Sequence, residues 1–101
     1  MSGTTDKAFK PKNDITELRI LGDLNLHGFA DWICHRAAVL DLNGYVKVVD
    51  QSEIRVGVSG NPDLIDAMEA ACSLGPANVI VDEILRQPPE ITDFRNRFTR
   101  L

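Results

Sequence analysis

Residues 16–32, TELRILGDLNLHGFADW, decide the fold, because the spacing of their apolar residues changes across one short loop. Leu18 and Ile20 alternate with charged residues, and this two-residue period predicts a strand over 16–22. Residues 22–28 begin and end with glycine and predict a loop. The first ordered part of the chain is therefore a strand that leads through a short connection into a helix.

A helix over 28–41 is predicted because apolar residues recur beyond the loop at helical spacing. These residues are Phe29, Trp32, Ile33, Ala37 and Leu40. Asp31 is expected in the first turn, where the helix dipole favours an acidic residue. Asn43 and Gly44 give a strong turn signal before the next strand.

Residues 45–50 and 53–59 are predicted to form a β-hairpin around Gln51 and Ser52. Alternation in the second strand places three apolar residues on one face, namely Ile54, Val56 and Val58. That face is expected to lie against the core.

A second helix is predicted over 62–74, and the sequence marks both of its ends. Asn61 can cap the free amides, and Pro62 at the first helical position loses no N–H that the helix needs. Gly75 and Pro76 end the helix. Its buried stripe comprises Leu64, Ile65, Met68, Ala71 and Cys72.

Further strands are predicted over 79–85 and 94–99, with Pro88 and Pro89 between them. The order β-α-β-β-α-β with an extra final strand predicts an α+β, ferredoxin-like (split βαβ) sandwich. We expect both helices on one face of an antiparallel sheet of four to five strands, because each helix has one apolar stripe to bury.

Composition limits the chain to one ordinary core, since its 101 residues are 44% hydrophobic and 26% charged. We predict a flexible tail over 1–14 and a single domain over 15–101. The net charge is −4, and residues 15–93 hold 13 acidic against 5 basic residues. An acidic body argues against a nucleic-acid partner and suits a basic one.

Several other classes of protein are also disfavoured. No apolar run approaches the roughly 18 residues of a membrane span, and residues 1–14 lack the apolar stretch of a signal peptide. We therefore expect a soluble, cytoplasmic protein. Cys34 and Cys72 are interpreted as reduced thiols, and His35 as a helix-surface residue. No group of side chains has zinc-ligand spacing, so we expect neither a metal nor a cofactor.

The C-terminal stretch FRNRFTR, residues 94–100, interleaves aromatic residues with arginines, as single-strand nucleic-acid binders do. The acidic body favours a different interpretation. We expect an edge strand in which Phe94 and Phe98 face the core while Arg95 and Arg97 share the outer face.

The loop between the first strand and the first helix places free amides where they can hold an anion. Here the chain resembles the acylphosphatase family, which carries G-x-V-Q-G-V-x-F-R at this point and G-W/Y-V-x-N on its second strand. The matching residues are Gly22, Leu24, Asn25, Phe29, Gly44, Tyr45 and Val46. The resemblance spans 16–85 and implies a ferredoxin-like fold and metal-independent hydrolysis of acyl phosphates.

The departures from the family pattern fall on its chemistry. In acylphosphatases the loop amides and an arginine hold the phosphoryl group, and an asparagine positions the attacking water. The arginine position is Ala30 and the asparagine position is Val48, while Leu26 replaces the second glycine of the loop. The equivalents of the phosphate loop are Asp23, Leu24, Asn25, Leu26, His27, Gly28, Phe29 and Ala30. Alanine and valine offer no hydrogen-bond donor, and Asp23 repels an anion.

Three hypotheses about function remain open. The leading one is a catalytically inactive acylphosphatase-like domain that acts as a binding module for a protein partner or a small anion. The alternative is an active acylphosphatase that uses the loop amides and His27. Lys47 is not expected to replace the missing donors, because alternation turns it to the opposite face from Val48. The third is an oligomerising domain, such as a homodimer formed through a strand edge.

Overall fold

The computed structural model describes residues 14–24, 26–92 and 97–101. The elements in chain order are β1 (Asp14–Asp23), α1 (Leu26–Val39), β2 (Asn43–Asp50), β3 (Glu53–Gly60), α2 (Pro62–Leu74), β4 (Ile80–Gln87) and β5 (Phe98–Arg100). Every predicted element is present, and α2 has the predicted bounds. Residues 1–13 of the predicted tail, and Phe94 and Arg95 of the predicted last strand, lie outside the described residues.

The first helix differs from its prediction at both ends, and it ends at Val39, two residues before the predicted bound. α1 begins at Leu26, two residues early, and Asp31 therefore lies beyond the first turn, which contains no acidic residue. Leu24 is fully buried in the core, so the connection ends sooner than its polar and glycine residues suggested. Arg36 lies in the last turn and complements the helix dipole there.

The five strands form one sheet in the order β4-β1-β3-β2-β5. β1 pairs antiparallel with both β3 and β4, and β2 pairs antiparallel with β3. β5 differs from the predicted antiparallel arrangement, because it pairs parallel to β2. The chain leaves β4 at one edge of the sheet and returns at the other edge, where Leu101 N–H donates to the Val46 carbonyl at 2.9 Å.

Both helices cover the same face of the sheet and enclose the core. The predicted face of β3 is fully buried, as are the central residues of both helix stripes: Ile54, Val56, Val58, Phe29, Ile33, Ala37, Ile65, Met68 and Cys72. Phe98 is half-buried and packs against this core, as predicted for the last strand. The ferredoxin-like α+β fold is therefore confirmed.

The two ends of α2 follow the predicted mechanism. The Asn61 side-chain oxygen accepts from Asp63 N–H at 2.8 Å, which satisfies one of the free amides of the first turn. Gly75 has φ 63° and donates its N–H to the Ala71 carbonyl at 3.0 Å. Such a left-handed residue is where glycine is favoured.

The sheet face away from the helices carries a buried carboxylate. Glu17 is 1% exposed, and it accepts hydrogen bonds from Tyr45 O–H and, at 2.5 Å, from Gln87 Nε2. Glu90 N–H donates to the Tyr45 oxygen at 3.0 Å. A Cβ at Gly57 would overlap the Tyr45 ring, so glycine at this position lets the ring lie across β3. These contacts join β1, β2 and the end of β4.

An ion-pair network lies beside this carboxylate on the same face. Glu53 accepts from Arg19 at 2.9 Å and from Arg55 at 2.8 Å, and these bonds hold the pKa of the Glu53 carboxyl below its usual value. Lys47 pairs with Glu90 at 3.2 Å. Lys47 therefore lies on the open face, whereas the next residue packs against the core, as alternation requires.

Within the described ranges 14–24, 26–92 and 97–101, no helix is long and apolar enough to span a membrane. The two helices contain 14 and 13 residues.

Tyr45→Phe is expected to lower the free energy of unfolding by about 1–3 kcal/mol, because it removes a donor from a buried carboxylate. Burial, and next the hydrogen bond to Glu17, raise the pKa of Tyr45 to about 12. The unfolded value is about 10. The neutral phenol therefore contributes fully to the free energy of unfolding below pH 10, and this contribution is lost as the pH rises toward 12. Urea unfolding of the parent protein and of Tyr45→Phe at about pH 7 and about pH 11 measures this contribution.

Lys47→Met is the matched control, since it removes an exposed ion pair worth about 0.5 kcal/mol or less. Equal stability of Tyr45→Phe and the parent protein at both pH values would contradict this account of the buried carboxylate.

Candidate functional site

The loop that resembles the family motif lies against the turn between β2 and β3. Gly22 N–H donates to the Ser52 carbonyl at 3.1 Å, and Leu24 N–H donates to the Gln51 carbonyl at 3.0 Å. A backbone N–H has one hydrogen to donate. One amide of the predicted anion loop, that of Leu24, is therefore already engaged within the protein, and the same turn holds the amide of Gly22 near the end of β1.

The first glycine of the motif has a structural cause. The pairing of β1 with β4 shifts register between Leu21 and Gly22. A Cβ at Gly22 would overlap the Ile80 carbonyl oxygen and lie 2.9 Å from the Asp82 nitrogen. Glycine at this position is therefore required for close approach of the β4 backbone, whether or not an anion binds.

The start of α1 is the part of the loop that retains capacity for an anion. The first amides of a helix have no intrahelical partner, and the helix dipole favours negative charge there. Gly28 is exposed in the first turn with φ 87°. Asp23 is exposed at the end of β1, on the approach to this helix. The predictions for Asn25 and for the side chains of Leu26 and His27 lie outside what the structure describes.

The two positions that the sequence motifs predict to correspond to the family's catalytic residues, Ala30 and Val48, contain apolar side chains. Ala30 is 1% exposed and belongs to the core beneath α1. Val48 is partly buried and packs against the same core. Neither side chain can donate a hydrogen bond to a phosphoryl oxygen or to water.

The sequence analysis did not single out Arg100, which comes close to this region from β5. Its guanidinium donates to the Asp31 carboxylate at 2.6 Å, and the two side chains are 50% and 73% exposed. Asp31 directly follows Ala30 in the chain. The cation that contacts this part of α1 is thus engaged by a carboxylate.

The remaining candidate residues lie apart from the loop. His35 is exposed on α1. Cys34 is half-buried, and burial together with the charge of Asp31 raises the pKa of its thiol. Burial raises the pKa of the Cys72 thiol to about 12, and neither cysteine forms a disulfide. Among the described residues, no three His, Cys, Asp or Glu side chains are arranged to hold a metal.

Comparisons with known proteins agree with this architecture. A family model described as acylphosphatase matches residues 16–99. An acylphosphatase from Rhodopseudomonas palustris (strain ATCC BAA-98 / CGA009) is 23% identical over 83 residues, which cover 80% of this chain and 84% of that protein.

Two solved structures have the same fold. An acylphosphatase from Coxiella burnetii has a TM-score of 0.80 and 18% identity, with 89% of this chain and 94% of that chain covered. The acylphosphatase from Bacillus subtilis has a TM-score of 0.76 and 18% identity, with 86% and 97% covered.

The fold defines a ferredoxin-like α/β sandwich with a strand-to-helix loop at one end of its sheet. Because the family model covers most of the chain, including the last strand, the chain belongs to the acylphosphatase family.

Gly22→Ala is expected to lower the free energy of unfolding by about 2–3 kcal/mol, because the new methyl group overlaps the β4 backbone. Gly28→Ala is the control. Its Cβ meets no atom within 4 Å, so it carries only the cost of a left-handed backbone, about 1 kcal/mol. Urea unfolding measures both variants. A smaller effect at Gly22 than at Gly28 would refute the steric account of the motif glycine.

Proposed function

We propose that this chain is an acylphosphatase-fold binding module that does not hydrolyse acyl phosphates. The observation that carries the proposal is the pair of apolar residues, Ala30 and Val48, at the positions of the catalytic arginine and asparagine. Phosphoryl transfer redistributes negative charge, so a positioned cation is among the largest contributions to catalysis. The loss of one such donor typically costs about 3–4 kcal/mol of transition-state stabilisation.

The surroundings of the loop support the same conclusion. The amide of Leu24 is engaged by the β2–β3 turn, and Arg100 is paired with Asp31. Arginine binds a phosphoryl group through a planar fork of donors, and alanine has none. Asp23 adds negative charge beside the helix start that an anion would use.

An active acylphosphatase is the second candidate, and one observation favours it. The first turn of α1 contains no acidic residue, so its free amides and the helix dipole remain available to a phosphoryl group. Hydrolysis would then require water to attack phosphorus without the catalytic arginine and asparagine.

Incubation with benzoyl phosphate separates the two candidates. We expect the parent protein to release phosphate no faster than buffer. Ala30→Arg with Val48→Asn is expected to raise turnover by about 100-fold or more above the parent, because it restores both donors. Robust turnover by the parent protein would overturn the proposed function.

The matched control is Ala38→Arg with Val49→Asn, the same two replacements at exposed positions of α1 and β2. It should leave turnover at the level of buffer. Thermal unfolding of each variant shows whether the buried Ala30 position accepts arginine. The result for the parent protein decides between the candidates even where the double variant does not fold.

Titration with inorganic phosphate, followed by amide NMR, tests the loop directly. We expect no saturable shifts over Asp23–Ala30 up to about 10 mM phosphate, because the loop contains no lysine or arginine. Saturable shifts confined to the first turn of α1 would favour the active enzyme.

A further inference from the structure

The outer edge of β4 is a long unpaired strand edge. β4 contains eight residues and pairs only with β1 within residues 14–24, 26–92 and 97–101. Its outward N–H and C=O groups therefore have no strand partner in this part of the chain. An edge of this kind is a template for strand addition by another extended segment.

A groove of about 440 Å³ runs along this edge between β4 and α2. The charged residues that line it are Asp66, Glu69, Asp82, Glu83 and Arg86. Together these residues have four carboxylates and one guanidinium, which is a net charge of −3. A strand that joined β4 would place its helix-side residues next to these acidic groups.

Arg86 fixes the acidic residues of α2 beside the strand. Its Nε donates to Glu69 at 2.6 Å, and a second nitrogen donates to Asp66 at 2.7 Å. Asp82 and Glu83 are exposed, and neither takes part in an ion pair among the described residues. These two carboxylates lie on the edge strand itself and remain available to a basic side chain.

The opposite face of the edge combines acidic and apolar groups, because alternation places Glu83 on the same face as Leu85. Leu85 is 39% exposed and lies in register with Arg19 on the face away from the helices. Side chains of an added strand alternate between the two faces. A complementary strand would therefore present basic residues to the groove and, on the opposite face, an apolar residue beside Leu85.

The same charges disfavour other occupants. Two copies joined through β4 would bring their acidic edges together, and like charges opposite one another destabilise strand pairing. A nucleic acid would meet the same repulsion from its phosphates.

We infer that the β4 edge binds an extended peptide in which lysine or arginine alternates with apolar residues. This inference deepens the proposed binding role by naming its surface and partner class. The benzoyl phosphate assay addresses catalysis alone, so a failure of peptide binding and a failure of the inactive-enzyme proposal are separate results.

Fluorescence anisotropy of the full chain with a labelled Lys-Val repeat, equal in length to the eight residues of β4, tests the inference. We expect saturable binding with amide NMR shifts centred on Ile80–Gln87. A Lys-Pro repeat of equal length and charge cannot donate backbone hydrogen bonds from its prolines. We therefore expect it to bind at least about tenfold more weakly than the Lys-Val repeat. Equal binding of the two peptides would overturn strand addition.

Asp82→Lys with Glu83→Lys is expected to weaken binding of the Lys-Val repeat by about tenfold. Asp82→Asn with Glu83→Gln, which removes the charges without reversing them, should also weaken this binding. The control Asp41→Lys with Asp50→Lys makes the same change in net charge at two exposed residues, one before β2 and one at its end. We expect it to change affinity by less than about twofold. An equal loss in the control pair would overturn the assignment to this edge.

Experiments with the same peptide also test two other possible occupants of the β4 edge, which are the chain's own N-terminal segment and a second copy of the chain. A marked gain in peptide affinity on removal of residues 1–13 would overturn the inference in favour of the chain's own N-terminal segment. A dimer in sedimentation that the Lys-Val repeat dissociates would overturn it in favour of a second copy. A monomer whose peptide affinity is unchanged by the removal supports it.

Discussion

The pairing of β1 on both of its sides is the constraint on which the candidate site depends. β1 lies between β3 and β4, so the chain that leaves it must pass over the β2–β3 turn and against the start of β4. The turn accepts the amides of Gly22 and Leu24, and the close approach to β4 requires glycine at Gly22. The first glycine of the motif therefore has a packing role that does not depend on phosphate binding.

Local patterns in the sequence predicted most of this fold. The cap at Asn61, the glycine at Gly75 and the alternation in β3 act over a few residues, and the structure confirms each of them. The predicted start of α1 was two residues too late. The connection between β1 and α1 is shorter than predicted, because Leu24 is buried in the core. A boundary that depends on tertiary burial cannot be read from the polar and glycine residues beside it.

The contacts that sequence reasoning missed join residues far apart in the chain. Glu17 is buried because Tyr45 and Gln87 reach it from other strands. The apolar pattern along one strand does not indicate a hydrogen-bond partner on another strand. Arg100 meets Asp31 because β5 pairs parallel to β2, whereas the sequence predicted an antiparallel sheet. In contrast, the substitutions at Ala30 and Val48 rest on placing the family motifs on the sequence without gaps, and they stay a prediction.

Our proposal is that this acylphosphatase-family chain lacks the donors needed for phosphoryl transfer and acts by binding. It rests on the apolar side chains of Ala30 and Val48 at the predicted catalytic positions, with the engaged Leu24 amide and the pairing of Arg100 as further support, because each would reduce the stabilisation available to a developing phosphoryl charge. Its most direct test is the rate of benzoyl phosphate hydrolysis by the unmodified protein. The account predicts a rate equal to that in buffer, and turnover that scales with protein concentration would contradict it.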